Sequence, residues 1–259
     1  MHTLDIRRVN VAQYLQPFRE GGSMPGLVKG DDDFMYVLKF RGAGQGKKAL
    51  IAELIGGEVA RVAGLKVPEL VFMDLDDSFS KTEPDQEIQD LLKFSVGLNL
   101  GLHFLSSAMT YDPLVSDTDS MTASKTVLLD SILTNIDRTA KNTNLLIWNK
   151  ELWLIDHGAC LYFHHNWRNW EAQLPRTFPA VKDHVLLSKA TELTAAAAEM
   201  KVALTEEKLR QIVNTIPEEW LVEESNPLTP SEMREAYVAV LFAKVNNIDA
   251  LAKEASDAR

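Results

Sequence analysis

Cysteine is almost missing from this chain: Cys160 is the only one in 259 residues. A single thiol excludes an intramolecular disulfide and a cysteine-based zinc site, and it fits a reducing compartment. Basic residues are in deficit, 27 Lys and Arg against 37 Asp and Glu, giving a formal net charge of -10. A surface that grips nucleic acid or an anionic membrane carries the opposite sign, because it must replace cations condensed on phosphate. Neither direct nucleic-acid binding nor a membrane partner is therefore expected, although a local Lys can still hold one phosphate group. Long hydrophobic runs are also missing. The most apolar window, Leu91 to Met109, is interrupted by Lys93, Asn99, His103 and three serines, and is too polar to span a bilayer. Met1 to Arg8 lacks the apolar stretch of a signal peptide. The expected location is cytoplasmic.

What is present fits a soluble protein with a sizeable core: 46% hydrophobic and 25% charged residues. The length suits one large domain or two small lobes. The first part reads as strands with one helix. Leu27-Val28-Lys29 is a strand candidate, and Gly30-Asp31-Asp32-Asp33 a turn. From Met35 to Phe40 the pattern alternates, with Met35, Val37 and Lys39 on one face and Tyr36, Leu38 and Phe40 on the other. Lys47 to Ala63 reads as a helix, with Gly64 at its C-terminal cap and Pro68 beyond. Glu69 to Leu75 is a further strand. The expected arrangement is a small antiparallel sheet with a helix across it.

From Ser78 to Pro84 the chain turns polar and reads as a linker. Residues 85–94 and 100–109 then read as helices, and Thr122 to Asn135 as a strongly patterned one. Two short strands follow within residues 143–156, and the remainder from Leu186 is mostly helical. The fold class is α+β, with a strand-rich lobe over residues 1–78 and a larger helical lobe over 79–259.

The segment richest in chemistry is Asn135-Ile136-Asp137-Arg138-Thr139-Ala140-Lys141-Asn142-Thr143-Asn144. It leaves a helix and enters a hairpin, Leu145 to Trp148 and Glu151 to Asp156, with Asn149-Lys150 as a two-residue turn. That turn sets Trp148 opposite Glu151 and brings Asp156 across from Thr143, beside Asn142. Cross-strand neighbours lie about 5 Å apart, so Asn142 and Asp156 can share a divalent cation. An amide and a carboxylate oxygen suit Mg2+, which keeps waters and substrate phosphates as its other ligands. Asp137, five residues before Asn142, is placed to orient or deprotonate an attacking hydroxyl. Phosphoryl transfer needs that set of groups.

Nucleotide contacts are expected upstream. Lys39 stands alone in an apolar strand, suited to a phosphate contact, and needs a helix carboxylate to hold it. Glu53 is the best partner and Glu58 a lesser one. Glu53 shares a helix stripe with Gly57, Ala60 and Gly64, small residues that allow the helix to approach the sheet. The Gly21–Gly26 stretch, with Gly22, Ser23 and Gly26, can cover phosphates with backbone amides, but matches no Walker pattern. Gly42–Gly46 is a second, lesser loop of that kind. Trp148, Trp153, Trp167 and Trp170 read as packing residues, His103 as a core or groove residue on a helix, and His164-His165 as a loop or surface pair.

Asn-x-Asp-Arg-x-x-x-Asn, with a strand ending Ile155-Asp156-His157-Gly158, resembles the HipA-like kinases and, more distantly, the phosphoinositide 3- and 4-kinases. The block from Glu53 to Pro68 is similar to the HipA-like segment ending Ala-x-x-x-Gly-Leu-x-Val-Pro, and Tyr36 to Phe40 to the family's Lys strand. The resemblance covers roughly residues 20–165. It implies a two-lobed, protein-kinase-like fold, ATP and Mg2+ as cofactors, and phosphorylation of Ser or Thr. It assigns Lys39 to phosphates, Glu53 to positioning Lys39, Asp137 to catalysis, and Asn142 and Asp156 to metal. Ser23 lies where the toxin kinases carry a phosphorylatable Ser. Thr139 departs from the His common after Asp-Arg, and the chain is shorter than the toxin kinases, so a toxin–antitoxin role is not implied. The expected partners are a protein substrate and a regulatory protein. Small-molecule kinase, ATP-binding regulatory module and nucleotidyl transfer are the alternatives.

Overall fold

The computed structural model describes residues 5–18, 24–223 and 226–259, with Thr82 described by its backbone alone. Strands β1 (Arg8–Pro17), β2 (Gly26–Gly30), β3 (Met35–Lys39), β4 (Leu70–Leu75) and β5 (Gly97–His103) close into a barrel in the order β1-β2-β3-β5-β4. Helix α1 (Lys47–Val62) connects β3 to β4, and α2 (Ser78–Thr82) and α3 (Gln86–Phe94) connect β4 to β5.

Alternation builds this barrel. In β3, Tyr36 and Leu38 are fully buried while Met35, Val37 and Lys39 lie on the other face. Val9, Val11, Val28, Tyr36, Leu38 and Met73 form one core with Ile88, Leu91 and Leu92 of α3. Helix α3 starts where Asp85 accepts from the N–H groups of Glu87 and Ile88. Helix α1 ends as its sequence requires: Gly64 takes φ +84°, and Leu65 N–H reaches the Ala60 carbonyl at 3.0 Å. Its Leu50, Ile51, Leu54 and Ile55 are buried in a second core shared with Val127, Leu128 and Ile132. Each such side chain contributes about 1.5–3 kcal/mol relative to exposure.

Four expectations are corrected. The sheet is not wholly antiparallel: β1 runs parallel to β4, with Val9 opposite Met73, and this pairing closes the barrel. The polar stretch from Ser78 forms the short helix α2 rather than a linker. The helix expected over 100–109 is instead β5 followed by a loop, and His103 is a strand residue packed edge-on against Tyr36. Leu98, Leu100 and Leu102 alternate with Asn99 and Gly101, a period-2 signal. Because β5 pairs with both β3 and β4, the boundary after residue 78 cuts the sheet, which runs to His103. Gly101 is required there, since a Cβ would sit 2.4 Å from the Met73 sulfur.

Beyond the barrel come β6 (Met109–Thr110), α4 (Ser120–Leu133), β7 (Leu145–Trp148) and β8 (Glu151–Leu154), the three strands pairing in the order β6-β7-β8. Short 3-10 turns occupy much of residues 162–189. They lead into α5 (Leu193–Ala203), α6 (Glu206–Asn214), α7 (Glu218–Leu221), α8 (Pro230–Asn246) and α9 (Ile248–Ala258). Helix α4 packs against α5 and α9. Helix α7 meets the barrel through Trp220, which lies edge-on to Phe72 and donates to the Leu98 carbonyl at 3.3 Å. No helix among the described residues is long and apolar enough to cross a membrane.

The β7–β8 hairpin has the expected register, with Trp148 opposite Glu151. Asn149 and Lys150 both take positive φ, 50° and 66°, the conformation that favours Asn-Gly in such turns. A left-handed Lys carries a strain of about 1–2 kcal/mol. Lys150→Gly is therefore expected to stabilise the chain by about 0.5–1 kcal/mol net of the added chain entropy, read as a higher urea midpoint with an unchanged slope.

Candidate active site

Three elements deliver charge to one point. Lys39, the last residue of β3, places its ammonium 2.5 Å from Glu53 Oε2 on α1 and 2.5 Å from Asp156 Oδ1 beyond β8. The Lys39 and Glu53 side chains are 12% and 1% exposed, whereas Asp156 is 40% exposed. Burial alone would lower the Lys39 pKa, but Glu53 and Asp156 outweigh it and hold the ammonium well above the ordinary lysine range. Burial would raise the Glu53 pKa, yet Lys39 and His157 bring it down to about 2. Glu53 Oε2 also accepts the His157 backbone N–H at 2.8 Å. Glu58 takes no part: it is buried elsewhere on α1 and pairs with Arg61 at 3.3 Å.

Helix α1 gets close enough because its stripe is small. A Cβ on Gly56 would lie 2.6 Å from His157 Cβ, and one on Gly57 2.8 Å from Leu70 Cδ1. Gly56 thus lets the helix touch the Asp156–Gly158 loop, and Gly57 lets it lie on β4. A side chain at 56 would force α1 and the loop that carries His157 apart, whereas at 57 the end of the Leu70 side chain would have to give.

The second group lies on the loop between α4 and β7. Asp137 Oδ2 accepts from Asn142 Nδ2 at 2.9 Å and from Asn144 Nδ2 at 3.2 Å. Arg138 staples this loop to the first group, its Nη1 donating to the carbonyls of Asn144 and of Ile155, the residue before Asp156. Ile155 N–H returns to the Asn144 carbonyl at 3.1 Å, so the hairpin register continues toward Thr143 and Asp156. Arg138 is itself fully buried and pairs through Nε with Asp130 Oδ2 at 2.6 Å. Burial would raise the Asp130 pKa, but Arg138, with help from His184, holds it well below the usual carboxylate range.

Backbone strain gathers here. Thr134, Asn144 and Asp156 take φ of 55°, 47° and 56°, a region costly to residues other than glycine and most of all to a β-branched one. Thr134 ends α4 and turns the chain into the Asp137 loop.

Asn142 and Asp156 carry the oxygen donor types that a hard cation takes. Asn142 spends its Nδ2 on Asp137, which leaves its Oδ1 as an acceptor, and Asp156 offers a partly exposed carboxylate. Among the described residues, no three His, Cys, Asp or Glu side chains gather closely enough to hold a metal by themselves. A cation here would take its remaining ligands from water and phosphate, as magnesium does.

Lys39, Glu53 and Asp156 thus meet directly, and Asp137 meets Asn142. Gly22 and Ser23 lie outside the described residues. Gly26 is a strand residue of β2 rather than part of a loop, and a Cβ there would lie 2.7 Å from the Tyr14 ring. His164 is also not a surface residue: it is fully buried and its Nδ1 lies 2.9 Å from the Tyr237 hydroxyl. Sequence reasoning missed Asn144, Asp130 and His184. Asp130 carries a readable signal, a carboxylate amid the apolar run Val127-Leu128-Leu129 and Ile132-Leu133. His184 carries none.

A family model described as HipA-like kinase matches residues 11–250. Among solved structures, a proinflammatory kinase of Helicobacter pylori, CtkA, has a TM-score of 0.57 at 13% identity, covering 98% of both chains. The Golgi casein kinase solved with Mn and ADP bound has a TM-score of 0.52 at 10% identity, over 96% of this chain and 73% of that one. These likenesses are of fold. No curated protein matches the sequence.

A carboxylate whose pKa falls on folding stabilises the fold above its unfolded value and gives that up as pH drops through the folded one. For Glu53 the window runs from about 4.5 down to about 2. Thermal midpoints measured across that window are expected to fall more steeply for the native chain than for Glu53→Gln.

Proposed function

The chain belongs to the HipA-like kinase family, and we propose that it is an ATP- and magnesium-dependent phosphotransferase that phosphorylates Ser or Thr hydroxyls of a protein. In this reading the barrel and the helical part are two lobes that meet after His103, and the nucleotide lies between them. The observation that carries it is the single ammonium of Lys39 held by both Glu53 and Asp156. Glu53 fixes the lysine at the end of β3, and Asp156 presents a carboxylate within reach of the same phosphates.

The division of labour follows from burial. Glu53 is sealed from water and can only position Lys39. Asp156 is partly exposed and, with the Asn142 side-chain Oδ1, would hold the cation, which neutralises charge on the phosphate oxygens when bound. Asp137 has one oxygen engaged by two amides, leaving Oδ1 to orient the acceptor hydroxyl and receive its proton. The segment containing Gly22 and Ser23 would cover the phosphates, with Ser23 a candidate for self-phosphorylation. A regulatory protein partner belongs to the same reading.

Calorimetry with millimolar ATP, with and without magnesium, tests the nucleotide part. Binding is expected to require magnesium and to be lost in Asp156→Ala; binding that ignores both would sink the metal assignment. Asp137→Asn is expected to retain that binding while phosphoryl transfer to a Ser/Thr peptide library falls by about 10²–10⁴-fold. Transfer that survives the substitution would remove Asp137 from the chemistry.

A further inference from the structure

His184 sits where the 3-10 turn Pro179–Asp183 ends. Its Nδ1 accepts the Leu186 backbone N–H at 3.0 Å. A ring nitrogen that accepts carries no proton, so the neutral imidazole must carry its proton on Nε2. Nε2 lies 2.9 Å from Asp130 Oδ2. Two local bonds therefore choose the tautomer and aim the donor at a carboxylate in α4.

That carboxylate is the hub of a chain that ends at Asp137. Asp130 Oδ2 accepts from His184 and from Arg138 Nε, and its Oδ1 accepts from Asn135 Nδ2 at 2.9 Å. The Asn135 amide oxygen in turn accepts the backbone N–H of Asp137 at 3.0 Å. Asp130, Asn135, Arg138 and His184 are 0%, 3%, 1% and 7% exposed, so water does not readily replace a lost member. The backbones are joined as well: Val185 N–H donates to the Arg138 carbonyl at 3.1 Å, and His184 forms an isolated bridge with Thr139.

We propose that His184 is a positioning residue for Asp137, acting through Asp130 and Asn135 and tying the 179–189 segment to the catalytic loop. This rests on the kinase reading of Asp137. Without the imidazole, Asp130 keeps Arg138 but loses the second donor that fixes its carboxylate plane. The plane sets Asn135, and Asn135 sets the Asp137 backbone. Lys39 and Glu53 take no part in these bonds, and Asp156 is reached only through Arg138, which keeps its own bond to Asp130, so nucleotide binding should be largely spared. Misplacing a reacting group by about 1 Å can cost about a hundredfold in rate.

Three variants separate positioning from packing. His184→Gln keeps an amide N–H near Nε2, His184→Asn keeps an acceptor near Nδ1, and His184→Ala keeps neither. Amide hydrogen exchange over residues 135–144 reads the loop directly. Exchange in Asn and Ala is expected to be about tenfold to a hundredfold faster than in the native chain, the loss of one hydrogen bond to a buried charge. Gln should stay near native, and the barrel should be unchanged in all three. Turnover should fall in the same order, with the KM for ATP constant. Equal exchange in all the proteins, Asn protecting as well as Gln, or a loss carried by the KM for ATP would each overturn the assignment. Should Ala fail to fold, the Gln and Asn pair decides. Should the native chain transfer no phosphoryl group, the kinase reading falls while the order of exchange rates still decides the positioning role.

Discussion

One ammonium, that of Lys39, must sit beside two carboxylates brought by separate parts of the chain, one of them, Glu53, sealed from water. Removing Lys39 would cost about 3–5 kcal/mol, because the buried Glu53 carboxylate would be left without its cation. Lys39 is fixed by its strand register in the barrel, Glu53 by its turn of α1, and Asp156 by the hairpin that ends before it. The end of the barrel, the placement of α1 and the exit from the hairpin are therefore coupled through a single point.

The close packing of α1 follows from that requirement. A helix carrying a bulky side chain at 56 could not touch the Asp156–Gly158 loop as this one does. Glycine inside a helix costs about 0.5–1 kcal/mol relative to alanine, so two in succession are a sacrifice of helix stability for proximity. The strained residues point the same way. Thr134, Asn144 and Asp156 hold left-handed backbone where the chain enters, crosses and leaves the site. The surrounding hydrogen bonds compensate, most visibly Arg138, which grips the carbonyls of Asn144 and Ile155.

Much of this was legible. A lone Lys in an alternating strand, a carboxylate on a small-residue helix stripe, and Asp and Asn on a loop entering a two-residue hairpin each follow a short-range rule; Lys39 meets Glu53, and Asp137 meets Asn142. The barrel was less legible. Its closure rests on the parallel pairing of β1 with β4, a contact between segments some sixty residues apart that no local pattern specifies. Leucines alternating with Asn99 and Gly101 did mark β5, but an apolar run covered on both faces is easily taken for a buried helix.

The sequence by itself determined most of the local conformations and the candidate groups of the site, because periodicity, turn chemistry and side-chain type act over a few residues. Only the tertiary structure decided which groups share a proton or a charge. Asp130 could be a misplaced surface carboxylate until Arg138 and His184 are seen on its oxygen. Asn144 could be a turn residue until its amide is found on Asp137. His184 has no marker in its own neighbourhood, since its role is set by a partner on α4 and by the Leu186 N–H that chooses its tautomer. Burial and long-range proximity, which no window of sequence contains, turned these ordinary residues into parts of a site.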